Sequence, residues 1–213
     1  MVMKVDVLDH FAAFDGVKRN WNSVYAADPD ANLFLSWDWM SKWLQEDMGN
    51  WLILAAKPGS GKSDYVAFFP LRLKARASKS GGFYTELLMA GGNFADYTGA
   101  IFRPEHADAA IEAFARHIKS MHWGLVRFGR LRMSEERHAR LVRQFPPAKF
   151  EILLNYPMID SSGVDNSICP YVPLPGSWES YLCRLSANTR QQLRRQLRKV
   201  DQDPELRITR TNR

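Results

Sequence analysis

The stretch Ala56-Lys-Pro-Gly-Ser-Gly-Lys-Ser63, followed by Asp64-Tyr-Val-Ala-Phe-Phe-Pro-Leu71, decides the fold. Its first eight residues match a relaxed phosphate-binding loop, with Ala where the first Gly usually stands. In such a loop the backbone amides wrap phosphates, Lys62 reaches the terminal phosphates and Ser63 holds magnesium. That chemistry needs a strand running into a helix, so that the helix N-terminus meets the anion. Here the following residues are β-branched and aromatic, and Pro70 blocks a helix interior. The stretch predicts a hairpin turn between two strands, Trp51 to Lys57 and Tyr65 to Ala77.

Working outward, Met3 to Leu8 alternates apolar and polar residues and predicts a strand. Phe11 to Ala27 predicts one helix through Phe14, Val17, Trp21 and Val24, closed by Asp28-Pro29-Asp30. Ser36 is the expected cap of a second helix with the stripe Trp37, Met40, Trp43, Leu44 and Met48, a pattern of core packing rather than of a ligand box. Thr85 to Met89 is apolar, Gly91-Gly92-Asn93 breaks it, and Tyr97 to Phe102 predicts a further strand. Pro104 to Met121 predicts a helix with Ala107, Ala110, Ile111, Phe114 and Ile118 on one face. Leu125 to Leu131 and Phe150 to Leu154 predict strands, and Ser134 opens a helix between them. Pro170 to Pro175 reads as an extended connector, and Glu205 to Thr209 as the first strand of a further unit. The pattern is a mixed α/β (α+β) fold, a sheet flanked by helices, in which the prolines exclude several central-strand assignments. The expected division is 1–175 and 176–213, with the native chain continuing past Arg213.

The chain of 213 residues carries a net charge of +6, unevenly placed. From Gly176 onward nine basic residues face four acidic ones, which leaves 20 and 19 for the rest. Ser177 to Val200 predicts a short helix, a turn and a basic helix opened by a capping box of Asn188 and Gln191. On that second helix Leu193, Leu197 and Val200 form a stripe expected to pack, while Arg190, Arg194 and Arg198 run beside it. Such a tail suits phosphates, so one function class is a nucleic-acid- or phosphate-binding module. Cys169 and Cys183 have no metal or redox spacing and read as reduced thiols. No apolar run reaches a membrane span, the first residues do not form a signal peptide, and the expected compartment is the cytoplasm. The five histidines are scattered without carboxylates to complete a metal set, Ser60 is a poor nucleophile candidate, and no metal is expected. Asp96-Tyr97 is the candidate site: a carboxylate and a phenol beside a glycine-rich break line a cleft well and suit acid–base chemistry.

Several segments together resemble the N-terminal half of a GNAT-type acyltransferase of the CelD/FemABX-like group. They are Phe34-Leu-Ser-Trp-Asp-Trp-Met-Ser-Lys-Trp43, Phe69-Pro-Leu71, Asp96-Tyr97 with Gly99, Trp123-Gly-Leu-Val-Arg-Phe128, and Trp178 to Lys199. The resemblance implies a GNAT-like mixed sheet as the first lobe of a tandem protein. It implies transfer from acyl-CoA, acetyl-CoA above all, to an amine or hydroxyl acceptor, often in cell-envelope or polysaccharide assembly. In that reading Asp96 and Tyr97 bind the acceptor, and Arg190 and Arg194 meet acceptor or cofactor phosphates. The chain departs from the family in one respect: the pyrophosphate loop, roughly R/Q-x-x-G-x-G/A before a helix, has no match, which places the expected cofactor lobe beyond residue 200.

Overall fold

The computed structural model describes residues 2–46, 50–59, 64–92, 94–154, 159–166, 168 and 170–206. The chain forms two compact units, Met1–Ser167 and Ile168–Arg213.

The first unit is built on strands β1 (Met3–Leu8), β2 (Asn50–Pro58), β3 (Ala67–Ala77), β4 (Phe83–Met89), β5 (Ile101–Phe102) and β6 (Leu125–Arg127). They lie in the order β1-β2-β3-β4-β6, and β5 pairs with β3. All pairs are antiparallel except β4 with β6, which run parallel. The mixed sheet flanked by helices is the architecture expected. β2 and β3 are antiparallel neighbours, Ala56 opposite Ala67, so among the described residues a strand and not a helix follows the glycine-rich stretch. Lys62 and Ser63 themselves lie outside the described residues.

Alternation along the strands sends residues to two cores. Leu54, Phe69, Leu71, Leu87 and Met89 meet Ile111, Phe114 and Ile118 of helix α4 (Ala107–Ser120). On the other face Ile53, Ala55 and Phe68 meet α1 (Phe11–Asp15), α2 (Lys18–Ala27) and α3 (Trp37–Glu46) through Phe14, Trp21, Trp37 and Met40. Phe14 stacks on Trp37 at 4.1 Å, and the buried Trp21 donates its indole N–H to Leu35 O (3.0 Å). Ser36 caps α3 through Trp39 N, as its position predicts.

The structure departs from expectation in several places. The predicted helix over 11–27 is two, parted at Gly16-Val17, where Val17 N bonds Phe14 O in a tightened turn. Pro70 lies inside β3, a central strand. Ala90 N donates to Pro70 O (3.2 Å), and the reciprocal bond cannot form because proline has no N–H. There β4 leaves the sheet, and its line resumes only at Ile101, opposite Phe68. Of the strand expected over 97–102, only Thr98, bridged to Leu131, and β5 are in the sheet. Residues 151–154 form no strand, with Leu153 and Leu154 exposed; apolar character alone does not make one.

In the second unit, α6 (Trp178–Arg184) and α7 (Ala187–Asp201) form a helical pair, linked by Arg194–Glu179 at 3.6 Å. The cap of α7 is Ser186, accepting from Thr189 N, instead of the expected Asn188. None of α7's residues is buried; Leu197 and Val200 of the expected packing stripe are exposed.

A buried charge network ties distant segments of the first unit. Asp28 Oδ1 accepts from Arg137 (2.7 Å) on helix α5 (Glu135–Arg143), and Asp28 Oδ2 accepts from Phe102 N (2.7 Å). Arg137 also bonds Asp30 Oδ2 (3.0 Å), which accepts from Ser134 N (2.9 Å). Removing one partner leaves a buried charge uncompensated, so Arg137→Ala should cost about 3–5 kcal/mol. Urea denaturation reads this as a lowered midpoint at unchanged slope.

Candidate functional site

Residues 90–100 leave the line of β4 and carry Asp96 and Tyr97 out at the carboxyl end of the parallel pair β4/β6. In open sheets with parallel strands this end is where ligands are received. The segment needs special backbone at its start. Gly91 has φ +80°, and a Cβ there would lie 2.8 Å from the Trp39 ring. Thr98 then anchors the return: its N–H donates to Arg130 O (2.8 Å), its carbonyl accepts from Arg132 N (2.9 Å), and its hydroxyl donates to Gly129 O (2.8 Å). Gly99 is packed so closely that a Cβ would lie 3.1 Å from both Arg132 O and Leu35 Cδ1.

Asp96 is exposed and Tyr97 half-buried. The Tyr97 ring meets Phe34 edge-on at 6.4 Å, and Phe34 meets Trp39 at 5.4 Å. The Arg132 guanidinium lies over Tyr97, 4.9 Å from the ring centroid. Arg130, in the left-handed region at φ 57°, donates through Nη1 to Ala95 O (2.8 Å) and Gly92 O (3.3 Å). A non-glycine residue held there stores strain of the kind found at functional sites. The two arginines were not singled out by sequence. Their signal was a basic residue at every second position where the β6 line ends.

Arg190 and Arg194 belong to the second unit, on α7, so the four candidate residues divide between the two units. Among the described residues no group of three His, Cys, Asp or Glu side chains is placed to hold a metal, and no helix is long and apolar enough to cross a membrane. Cys183 is a free, exposed thiol, and Cys169 lies outside the described residues. A concavity of about 660 Å³ opens elsewhere, beside Asp9, His10, Gln45 and Trp51; its chemistry is one exposed Asp9–His10 pair.

A second polar cluster closes the β1 edge. Asp6 accepts from Lys57 (2.7 Å) and from the Tyr65 hydroxyl (3.0 Å), with Lys4 at 3.1 Å. The Lys57 hydrogen bond leads in pulling the Asp6 carboxyl down to about 2. Burial first, then the hydrogen bond to Asp6 and the Asp6 charge, push the Tyr65 phenol up to about 12. Neither group exchanges a proton near neutrality, so the cluster acts as a clamp. Because Asp6 is held below its unfolded value, its contribution is present above about pH 4 and lost as pH falls toward 2. Asp6→Asn should therefore lower stability by about 1 kcal/mol at pH 7, an effect that fades toward pH 2 in denaturation curves.

No protein-family model matches the chain, and no curated protein matches it. A solved aminoglycoside acetyltransferase from an uncultured soil metagenomic sample, in complex with sisomicin, is similar at TM-score 0.39 and 10% identity, over 72% of this chain and 93% of that one. A solved transcriptional regulator from Bacillus halodurans C-125 is similar at TM-score 0.38 and 12% identity, over 72% of this chain and 100% of that one.

Proposed function

We propose that the chain supplies the acceptor-side lobe of a GNAT-type acyltransferase working in the cytoplasm. The observation that carries the proposal is the meeting, within the first unit, of segments there whose sequences resemble that family. Phe34 touches Tyr97, Trp39 fills the space over Gly91, Leu35 lies against Gly99, and Phe69 meets Phe128 at 5.3 Å. Residues far apart in the chain thus build one end of one sheet. There Asp96 pairs with an acceptor ammonium or accepts from its hydroxyl, and the Tyr97 phenol orients it. Membership of the CelD/FemABX-like group, and an acceptor from cell-envelope or polysaccharide assembly, are the finer part of the same proposal and rest on the motifs alone.

The acyl-CoA that such an enzyme uses does not fit the N-termini of α4 and α5. A pyrophosphate favours a helix N-terminus free of acid. α4 is entered through Pro104-Glu105-His106, and its first turn carries Asp108, bound to Arg140 at 2.7 Å. α5 opens on Glu135 and Glu136. This lobe binds and orients the acceptor.

The test uses the protein expressed from its full reading frame, with acetyl-CoA and a panel of amine and hydroxyl acceptors. Asp96→Ala and Tyr97→Phe should each lower kcat/KM about tenfold or more, with the urea midpoint unchanged. Unchanged turnover in both variants sinks the assignment.

A second reading, phosphate or nucleic-acid binding by α7, is favoured by the exposure of that basic helix, which buries none of its residues. It predicts RNA or DNA affinity that falls linearly in log–log plots against salt and weakens in Arg190→Gln.

A further inference from the structure

We propose that Arg130 and Arg132 form a seat for an anionic oxygen group, a carboxylate or a phosphate, on the acceptor. This rests on the reading that Asp96 and Tyr97 face that acceptor, and it narrows the acceptor class. The substrate would carry a nucleophilic amine or hydroxyl at one end and an acid at the other.

Placement comes first. Leu131 packs against the core, while Arg130, in the turn before it at φ 57°, and Arg132 after it are both exposed. Thr98 hydrogen-bonds the backbone of both, which holds them beside the turn that bears Asp96 and Tyr97.

Charge comes second. Arg76 and Arg127 hold the buried Glu86, Arg137 holds Asp28 and Asp30, and Arg140 holds Asp108 and Glu112. Among the described residues no carboxylate pairs with Arg130 or Arg132, although Asp96 belongs to the same turn.

Preorganisation comes third. Arg130 spends Nη1 on two carbonyls, which fixes the guanidinium and leaves other N–H groups to give. Arg132 is held over Tyr97, its guanidinium carbon 4.9 Å from the ring centroid, and a guanidinium has N–H groups enough to meet an oxyanion in a bidentate pair. An exposed guanidinium stacked on a ring is the arrangement that recognises such groups at low entropic cost.

The experiment titrates the protein with inorganic phosphate and with malonate, using chloride at matched ionic strength as the control. Arginine Nε–Hε and Thr98 amide signals are followed by NMR. Saturable shifts at Arg130 and Arg132 with either probe, absent with chloride, are expected. Arg132→Gln should weaken the tighter probe about tenfold. Tyr97→Leu removes the ring that positions Arg132 and should weaken it similarly, whereas Tyr97→Phe keeps the ring and should hold affinity within about twofold. Shifts that follow ionic strength alone, or an Arg132→Gln variant that binds like the parent, overturn the seat. Arg132 is exposed, so its variant stays informative should Tyr97→Leu fold poorly. Binding is read without an acyl donor. A failed seat with Asp96→Ala still impairing transfer overturns the seat alone; intact anion binding with unimpaired transfer overturns the acceptor reading of Asp96.

Discussion

The Asp28 carboxylate is the constraint on which the first unit depends. It is buried, and it is compensated by Arg137, by the Phe102 amide and by the Asp30 amide. A buried charge is tolerated only when its lone pairs are met, and here they are met from three separate segments. The turn after α2, the strand β5 and the helix α5 therefore cannot move independently. Arg137 also lies over the Phe102 ring at 5.0 Å, which adds packing to the charge pair. Both flanks of the candidate site inherit this rigidity: Phe102 follows the turn bearing Asp96, and Ser134, held by Asp30, follows Arg132.

Within that frame a missing donor makes the opening. Pro70 occupies a central strand, where proline normally weakens a ladder. It is tolerated at the last rung before the strand opposite departs, where Ala90 N still donates to Pro70 O and only the reciprocal bond is lost. The sheet keeps its hydrophobic faces on both sides of the gap through Phe68 and Phe69, while the departing segment is free to carry polar groups outward. The candidate site is thus a consequence of a local failure of strand pairing placed between two well-packed cores.

Which parts of this were legible depended on the range of the interaction. The hairpin of β2 and β3, the apolar face of α4 and the Ser36 cap follow from period, turn chemistry and spacing within a few residues, and they were read correctly. Asp96 and Tyr97 stood out for the same reason, beside a glycine break. The Asp28–Arg137 pair spans 109 residues of sequence, and nothing local marks either residue as buried. The break at Gly16, the choice of Ser186 over Asn188 and the unpaired 151–154 segment were decided by tertiary partners or by close local competition. Arg130 and Arg132 escaped because their meaning comes from the ring and carbonyls that meet them, not from their own spacing.

The two units divide the charge differently, and the division bears on mechanism. In the first, most ion-paired arginines serve carboxylates of the fold itself, and the helix N-termini of α4 and α5 carry acids that repel a phosphate. In the second, α7 has no acid in its first turn, and Arg190, Arg195 and Arg198 accompany an apolar stripe that is not buried. A transferase must hold a polyanionic donor and an acceptor with opposite demands on local charge. A first unit with Asp96 near two restrained guanidiniums is suited to a small acceptor bearing both charges. On the proposed transferase reading, the donor's phosphates would avoid the acid-bearing N-termini of α4 and α5, and arginines like those of α7 are the chemistry that such phosphates require.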